Sequence, residues 1–173
     1  MNRGESWMHS ITIDLFKKGL GKLAGAVTIV AAGNGQERMG LTATSVCSLS
    51  AEPPRILACV NLKGQTFATT AATRSVSVNI LAENQKQVAQ RFAGLWGDEQ
   101  SDPFKIGQWT TGTTGAPVLT GAIASLDCKV DEMLVLQTHA ILICEIKHIE
   151  VGDSSLSPLL YLNGAFGKFE STD

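Results

Sequence analysis

The chain has 173 residues and a formal net charge of −2, with 44% hydrophobic and 17% charged residues. A chain of this length and hydrophobic content can bury a sizeable core, which excludes an intrinsically disordered protein. Nucleic acid is an unexpected partner, because tracking a phosphate backbone requires a surplus of Lys and Arg that this chain lacks.

The first residues, from Met1 to Trp7, contain no apolar segment of the kind found in signal peptides. The apolar runs further along the chain are too short to cross a bilayer as a helix. We therefore expect a cytosolic protein with no membrane association.

Strands outnumber helices in the predicted element order, and strand and helix do not alternate regularly. This pattern favours a mainly antiparallel β-barrel over a doubly wound sheet. No GxGxxG motif follows the first strand, so the Rossmann dinucleotide fingerprint is absent. In chain order we predict a helix over 15–23, strands over 24–32 and 39–46 joined by a turn at 33–35, strands over 56–62 and 75–81, a helix over 84–95, and strands over 117–129, 138–151 and 159–162.

The four cysteines form no CxxC pair and all lie in apolar or alternating segments, which predicts buried free thiols and no metal site. The adjacent carboxylates Asp131 and Glu132 fit a turn better than an acid–base pair. The cysteines are Cys47, Cys59, Cys128 and Cys144.

The segment from Gly40 to Ser50 combines hydroxyl side chains with small residues. If it forms one strand, alternation directs Thr42, Thr44 and Ser48 to the same face. Such a face leaves the backbone open to a flat ligand. An exposed Thr-rich strand, which needs no ligand, explains the pattern equally well.

The segment from Asn61 to Phe67 follows a predicted strand, turns at Gly64 and starts a short helix. The N–H groups at the helix start, the Lys63 charge and the Thr66 hydroxyl together suit a single phosphate. An ordinary helix capped by Thr66 is the alternative.

Six blocks in this order resemble the short-chain flavin reductase family, which includes the reductase components of two-component aromatic hydroxylases such as 4-hydroxyphenylacetate hydroxylase. The resemblance covers roughly 16–161. The blocks are GLTATSVCSLSAEPPRILACVN, TFATTAATRSVSVNIL, NQKQVAQRFAG, GAPVLTGAIASLDCKV, THAILICEI and PLLYLNG.

The resemblance implies a mainly β, antiparallel FMN-binding split barrel with a few short helices. One domain would span 11–170 behind a flexible N-terminus at 1–10. It also implies cofactor-binding positions in several segments, with His139 and Tyr161 near the nicotinamide. The implied cofactor-binding residues are Thr42, Ala43, Thr44, Ser45, Ser48, Asn61, Leu62, Lys63, Thr66, Phe67, Ala82, Gln85, Phe92, His139 and Tyr161.

By the same resemblance, the protein is an NAD(P)H-dependent flavin reductase and a homodimer. Hydride passes from nicotinamide C4 to flavin N5, so the cofactors carry the chemistry and no catalytic triad is needed. FMN is the expected flavin, with FAD as an alternative, and NADH is favoured over NADPH. The reduced flavin would serve a separate oxygenase, and His139 would orient the nicotinamide amide.

Two departures from the family pattern bear on the coenzyme. Relatives often carry an Arg and an aromatic residue just after the Tyr, whereas Leu162 and Asn163 follow Tyr161 here. Gln137 replaces a small or acidic residue before Thr138. Three other functions stay open: a pyridoxamine phosphate oxidase-like oxidase, a flavin-binding carrier without turnover, and a purely structural barrel.

Overall fold

The computed structural model describes residues 11–95 and 101–172, and the predicted flexible N-terminus at 1–10 lies outside these ranges. No helix in the described part of the chain is long and apolar enough to cross a membrane. The helices are α1 (Ile13–Leu20), α2 (Gln65–Thr73) and α3 (Lys86–Phe92). The strands are β1 (Gly25–Ala26), β2 (Thr28–Ala32), β3 (Met39–Ala43), β4 (Val46–Ala51), β5 (Pro54–Asn61), β6 (Ser75–Ile80), β7 (Trp109–Thr111), β8 (Pro117–Leu119), β9 (Ala124–Val135), β10 (His139–Val151), β11 (Leu159–Leu162) and β12 (Ala165–Lys168).

Seven strands form the main sheet in the order β3-β2-β6-β9-β10-β5-β4. A three-stranded sheet (β1-β11-β12) and a two-stranded sheet (β7-β8) lie beside it. The paired strands are antiparallel in all three sheets. The prediction of a mainly β, antiparallel fold is confirmed.

The two edge strands of the main sheet are consecutive in the chain. Strand β3 ends at Ala43 and β4 begins at Val46, so only Thr44 and Ser45 connect them. A connection this short spans at most about 10 Å, so the sheet must coil until its edges approach each other. Because β3 and β4 are not neighbours in the sheet, the barrel is split at this connection.

The barrel interior is filled by small and branched side chains. Strand β2 is buried on both faces, because Val30 and Ala32 point into the barrel while Ile29 and Ala31 face a second core beneath α3. This double burial explains the uninterrupted apolar run around β2. The buried interior residues are Val30, Ala32, Ile56, Ala58, Val60, Val76, Val78, Cys128, Val130, Ala140, Leu142 and Cys144.

Several predicted elements differ from the structure. The single strand predicted over 39–46 is wrong, because the chain breaks at Thr44 and Ser45. The predicted turn at Asp131 and Glu132 is also wrong, since both residues lie within β9. The strand predicted over 117–129 divides into β8 and β9, and Gly121 between them has a positive φ of 75°.

The cysteines are free, as predicted, but they are not all buried. Cys128 and Cys144 are fully buried in the barrel, and burial raises the pKa of Cys144 to about 12. Cys59 is half-buried and Cys47 is exposed, so the prediction of burial is wrong for Cys47. Cys47 lies on β4, whose residues are exposed or half-buried along the whole strand.

Candidate functional site

A cavity of about 860 Å³ opens at the split of the barrel. Helix α1, strand β1, the Thr44–Ser45 connection and the β11–β12 hairpin supply its walls. Apolar side chains dominate the lining, and Lys17 is the one charged residue among the described residues that form it. We call this the split cavity.

A second cavity of about 200 Å³ adjoins the same walls. Thr44 and Tyr161 line both cavities, and Thr42, Ala43 and Phe166 line the smaller one. The Tyr161 and Phe166 rings meet edge to face with their centroids 5.2 Å apart. The hairpin therefore presents an aromatic wall opposite the small side chains after β3.

Gly25 and Thr44 approach each other closely in the lining of the split cavity. A Cβ on Gly25 would lie 2.8 Å from Thr44 Cβ, closer than side chains pack. Gly25 also pairs with Tyr161 across β1 and β11. Gly25 therefore places β1 directly between Tyr161 of β11 and the Thr44 side chain.

Thr42 lies on the outer face of β3, under α3. Its hydroxyl donates a 2.7 Å hydrogen bond to the Ala89 carbonyl oxygen. The Thr42 hydroxyl thus anchors a helix. Thr42 and Thr44 both line the smaller cavity, but Ser48 lies on β4 beyond the break at Thr44 and Ser45, so the predicted row of three on one strand face is not formed.

Ser45 provides the link between the split cavity and strand β5. Its carbonyl oxygen accepts a 3.0 Å hydrogen bond from the Cys59 amide. Asn61 lies two residues further along β5, about 7 Å away at the usual strand rise. The connection lining the cavity and the end of β5 are therefore neighbours. Ser48 lies further along β4, is exposed, and pairs with Ile56.

The end of β5 forms a tight turn into α2. The Lys63 amide donates to Asn61 Oδ1 at 2.9 Å, and the Leu62 amide donates to the Thr138 carbonyl. Gly64, not Thr66, is the N-cap of α2, and no side chain caps the helix. This corrects the alternative in which Thr66 caps the helix; Thr66 is the second helical residue and is buried. Lys63 and the uncapped N–H groups at the start of α2 together form a candidate anion site.

Phe67 and Leu62, also predicted to bind the cofactor, pack partly buried against the barrel interior. Their apolar side chains fix α2 over the end of β5. They lie beside the candidate anion site and away from the residues that line the split cavity.

Three more predicted site residues outside both cavities, Ala82, Gln85 and Phe92, lie around α3. Ala82 is fully buried, and its amide donates to Gln85 Oε1 at 3.0 Å. Phe92 is 7% exposed and its ring packs against Phe104 with centroids 4.9 Å apart. These residues pack at the start and on the inner face of α3.

His139 starts β10 opposite Asn61, and its exposed ring is not part of the split-cavity lining. The Nδ1 atom lies 2.8 Å from Thr138 Oγ1. Strands β4, β5 and β10 are adjacent in that order, so His139 stands two strands away from Ser45. Asn61 and Lys63, at the end of β5, thus lie at the same end of the barrel as His139.

Sequence reasoning missed the contribution of α1 and of β12 to the site. Phe16 and Lys17 line the split cavity, and so does Asn163. The Asn163–Gly164 pair, with φ values of 52° and 79°, is the strong Asn-Gly hairpin signal that would have predicted β12. The docking of α1 on this hairpin is a long-range contact with no local signal.

The flavin reductase like domain matches residues 20–170. This chain belongs to the flavin reductase like family. Among its relatives, the chain is 36% identical over 140 residues to the FMN reductase (NADH) RutF of Stutzerimonas stutzeri, covering 81% of this chain and 79% of that protein.

Two other members of the flavin reductase like family are informative. The 4-hydroxyphenylacetate 3-monooxygenase reductase component of Pseudomonas aeruginosa is 30% identical over 155 residues, covering 90% of this chain and 91% of that protein. The Streptomyces globisporus NADH:FAD oxidoreductase SgcE6, solved in complex with NAD and FAD fragments, superposes with a TM-score of 0.82 at 28% identity. That superposition covers 92% of this chain and 93% of SgcE6.

Proposed function

We propose that this protein is an NADH-dependent flavin reductase that reduces FMN, or FAD, and releases it to a separate oxygenase. The split cavity carries the proposal, because its size falls in the upper part of the range known for small-molecule sites. The similarity to an FMN reductase (NADH) and to a monooxygenase reductase component supports the proposed flavin, the proposed coenzyme and the proposed oxygenase partner.

The residues at the split fit an isoalloxazine ring. Their side chains are small or hydroxylated, and Gly25 lets the Thr44 side chain pack closely against β1. We assign the ring to Thr44 and Ser45, with Ala43 and Tyr161 as adjacent walls. The ribityl phosphate would reach Lys63 and the start of α2, close to Asn61.

A bound flavin supplies the hydride acceptor, and the reduced nicotinamide supplies the hydride. The protein positions the two rings and excludes water from between them, and this positioning accounts for most of the rate gain. Backbone N–H groups around Ser45 would stabilise negative charge on the reduced ring. Tyr161 would close the opposite side.

His139 is proposed to orient the nicotinamide amide from the neighbouring end of the barrel. Its 2.8 Å contact with Thr138 supports a fixed ring orientation. In His139→Ala we expect the KM for NADH to rise about tenfold, as for loss of one hydrogen bond to a polar ligand group. Steady-state kinetics with unchanged KM and kcat would exclude this role.

The other predicted cofactor-binding residues stay proposals, and we assign them supporting roles. Ser48, Leu62, Thr66 and Phe67 would support the ribityl and phosphate side. Ala82, Gln85, Phe92 and Thr42 would act through the placement of α3.

We also propose a homodimer built from one domain over 11–170, in the cytosol where NADH is available. Helix α1 supports the dimer, because Ile13, Phe16 and Leu20 are each more than half exposed. Exposed apolar groups of this size favour a covering partner. Sedimentation equilibrium at micromolar protein should give twice the chain mass, and a monomer would contradict the proposal.

The direct test mixes the protein with NADH and FMN and records absorbance at the NADH and flavin bands without oxygen. The proposal predicts loss of both bands at equal molar rates. Flavin binding without NADH loss would indicate a flavin carrier. No flavin affinity at all would favour a structural barrel.

A further inference from the structure

The split cavity contains one feature that the flavin site does not use. Lys17 lies on α1, on the wall formed with the β11–β12 hairpin, whereas Lys63 is outside the cavity lining. A flavin held by Thr44, Ser45 and Lys63 leaves Lys17 unassigned. Lys17 is exposed and is the one charged residue among the described residues that line this largely apolar cavity, so its charge is available to an anion there.

The position of Lys17 is fixed by the local backbone. The Gly21 amide donates to the Lys17 carbonyl at 2.8 Å, which closes the last turn of α1. The Asn163 amide donates to the Gly21 carbonyl at 2.8 Å, which fastens the tip of the β11–β12 hairpin to the end of that helix. Lys17 thus projects from a helix end that the hairpin holds in place.

The neighbours of Lys17 determine which ligand suits it. Phe16 and Leu20 line the same wall, and no acidic side chain is found among the described residues of the cavity. A lone cationic side chain on the wall of a cavity of this size suits the phosphate of a second nucleotide. A single flavin mononucleotide has only one phosphate, and that phosphate is assigned to Lys63.

We propose that Lys17 binds the pyrophosphate of an adenine dinucleotide, and so distinguishes dinucleotides from FMN. This inference rests on the proposed function for the flavin position. Both NADH and FAD carry the same pyrophosphate, so both are candidate sources of the group. FMN lacks it and serves as the internal comparison.

The test measures dissociation constants by calorimetry for FMN, FAD and NAD⁺ with three variants. Lys17→Met keeps the aliphatic stem and removes the charge, and Lys17→Arg keeps the charge. Lys18→Met removes the adjacent exposed charge, which does not line the cavity. The melting temperature of each variant is measured to confirm folding.

We expect Lys17→Met to weaken FAD or NAD⁺ binding about tenfold, as for loss of one charge-assisted hydrogen bond, and FMN binding less than twofold. Lys17→Arg should restore most of the affinity, and Lys18→Met should resemble the wild type. A loss with FAD alone identifies the flavin dinucleotide, and a loss with NAD⁺ alone identifies the coenzyme.

Equal losses for FMN and the dinucleotides would overturn the inference, because Lys17 would then hold the flavin monophosphate. Unchanged affinities for all three ligands would overturn it as well. NADH consumption by the wild type is measured separately. A protein that binds NAD⁺ through Lys17 but reduces no flavin would disprove the proposed function and leave the Lys17 site intact.

Discussion

At the scale of single residues, the shape of the site depends on Gly25, a position that has no side chain. Gly25 has no functional group, yet its lack of a Cβ allows β1 to pass Thr44. The φ of Gly25 is not in the left-handed region, so space and not backbone conformation requires glycine there.

Gly25→Ala should therefore weaken flavin binding. The new Cβ would displace Thr44, and overpacking of this kind costs about 1–3 kcal/mol, which is roughly tenfold or more in Kd if it falls on the bound state. Fluorescence titration with FMN measures the effect. Gly19→Ala is the matched control, because its Cβ would meet nothing within 4 Å; equal affinities in the two variants would contradict the account.

The thiols provide a residue-scale test of the fold itself. Burial raises the pKa of Cys144 to about 12, so the reactive thiolate is absent at neutral pH and increases only as the pH approaches that value. At pH 8 a thiol reagent should modify exposed Cys47 rapidly and leave Cys128 and Cys144 unmodified. Cys47→Ser should remove the fast phase, and fast labelling of either barrel cysteine would contradict the structure.

At the scale of elements, α3 is joined to the barrel by its buried apolar side chains and by the hydroxyl of Thr42, which the family resemblance assigned to the cofactor. Thr42→Val replaces this hydroxyl with a methyl group of similar size and breaks the bond to Ala89. We expect the free energy of unfolding to fall by about 1 kcal/mol, measured in urea, with the FMN affinity changed less than twofold because Thr42 acts through α3. A larger loss of FMN affinity at unchanged stability would contradict this indirect role and indicate a direct contact of Thr42 with the flavin.

The same elements explain how much the sequence could predict. Buried strands such as β2 and β5 were predictable, because apolar runs and the Gly33–Asn34–Gly35 turn are local signals. The break at Thr44 was not, since nothing local marks where a strand leaves one sheet edge for the other. The loop around Gly112 likewise depends on a contact outside the loop: Thr113 Oγ1 and the Thr114 amide donate hydrogen bonds to the buried carboxylate of Asp127.

The residues of the site show the same division between those marked by the sequence and those placed by long-range contacts. Thr44, Ser45 and Tyr161 were predicted and meet at the split cavity, and Asn61 lies near them through β5. Phe16 and Lys17 were not predicted, because their place in the site depends on α1 docking against a hairpin about 140 residues later in the chain. His139 was predicted from family resemblance, and its position relative to bound nicotinamide stays a prediction.

At the scale of the whole molecule, a barrel coils until its edge strands nearly meet, and the two-residue connection between them becomes the floor of a cavity. The topology thus creates the site: a closed barrel would have no opening at Thr44 and Ser45. Helix α1 and the β11–β12 hairpin complete the walls from opposite ends of the chain.

The central claim is that flavin is bound and reduced at this split. The most direct measurement compares Ser45→Trp, which fills the split cavity, with Ser154→Trp, which adds the same side chain at an exposed turn. Each variant is assayed for FMN affinity and for FMN reduction by NADH, with melting temperature as the check on folding. The account predicts that Ser45→Trp folds but has FMN affinity and an FMN reduction rate at least tenfold below those of the wild type, while Ser154→Trp matches the wild type in both. A wild-type rate of FMN reduction in Ser45→Trp would contradict the account.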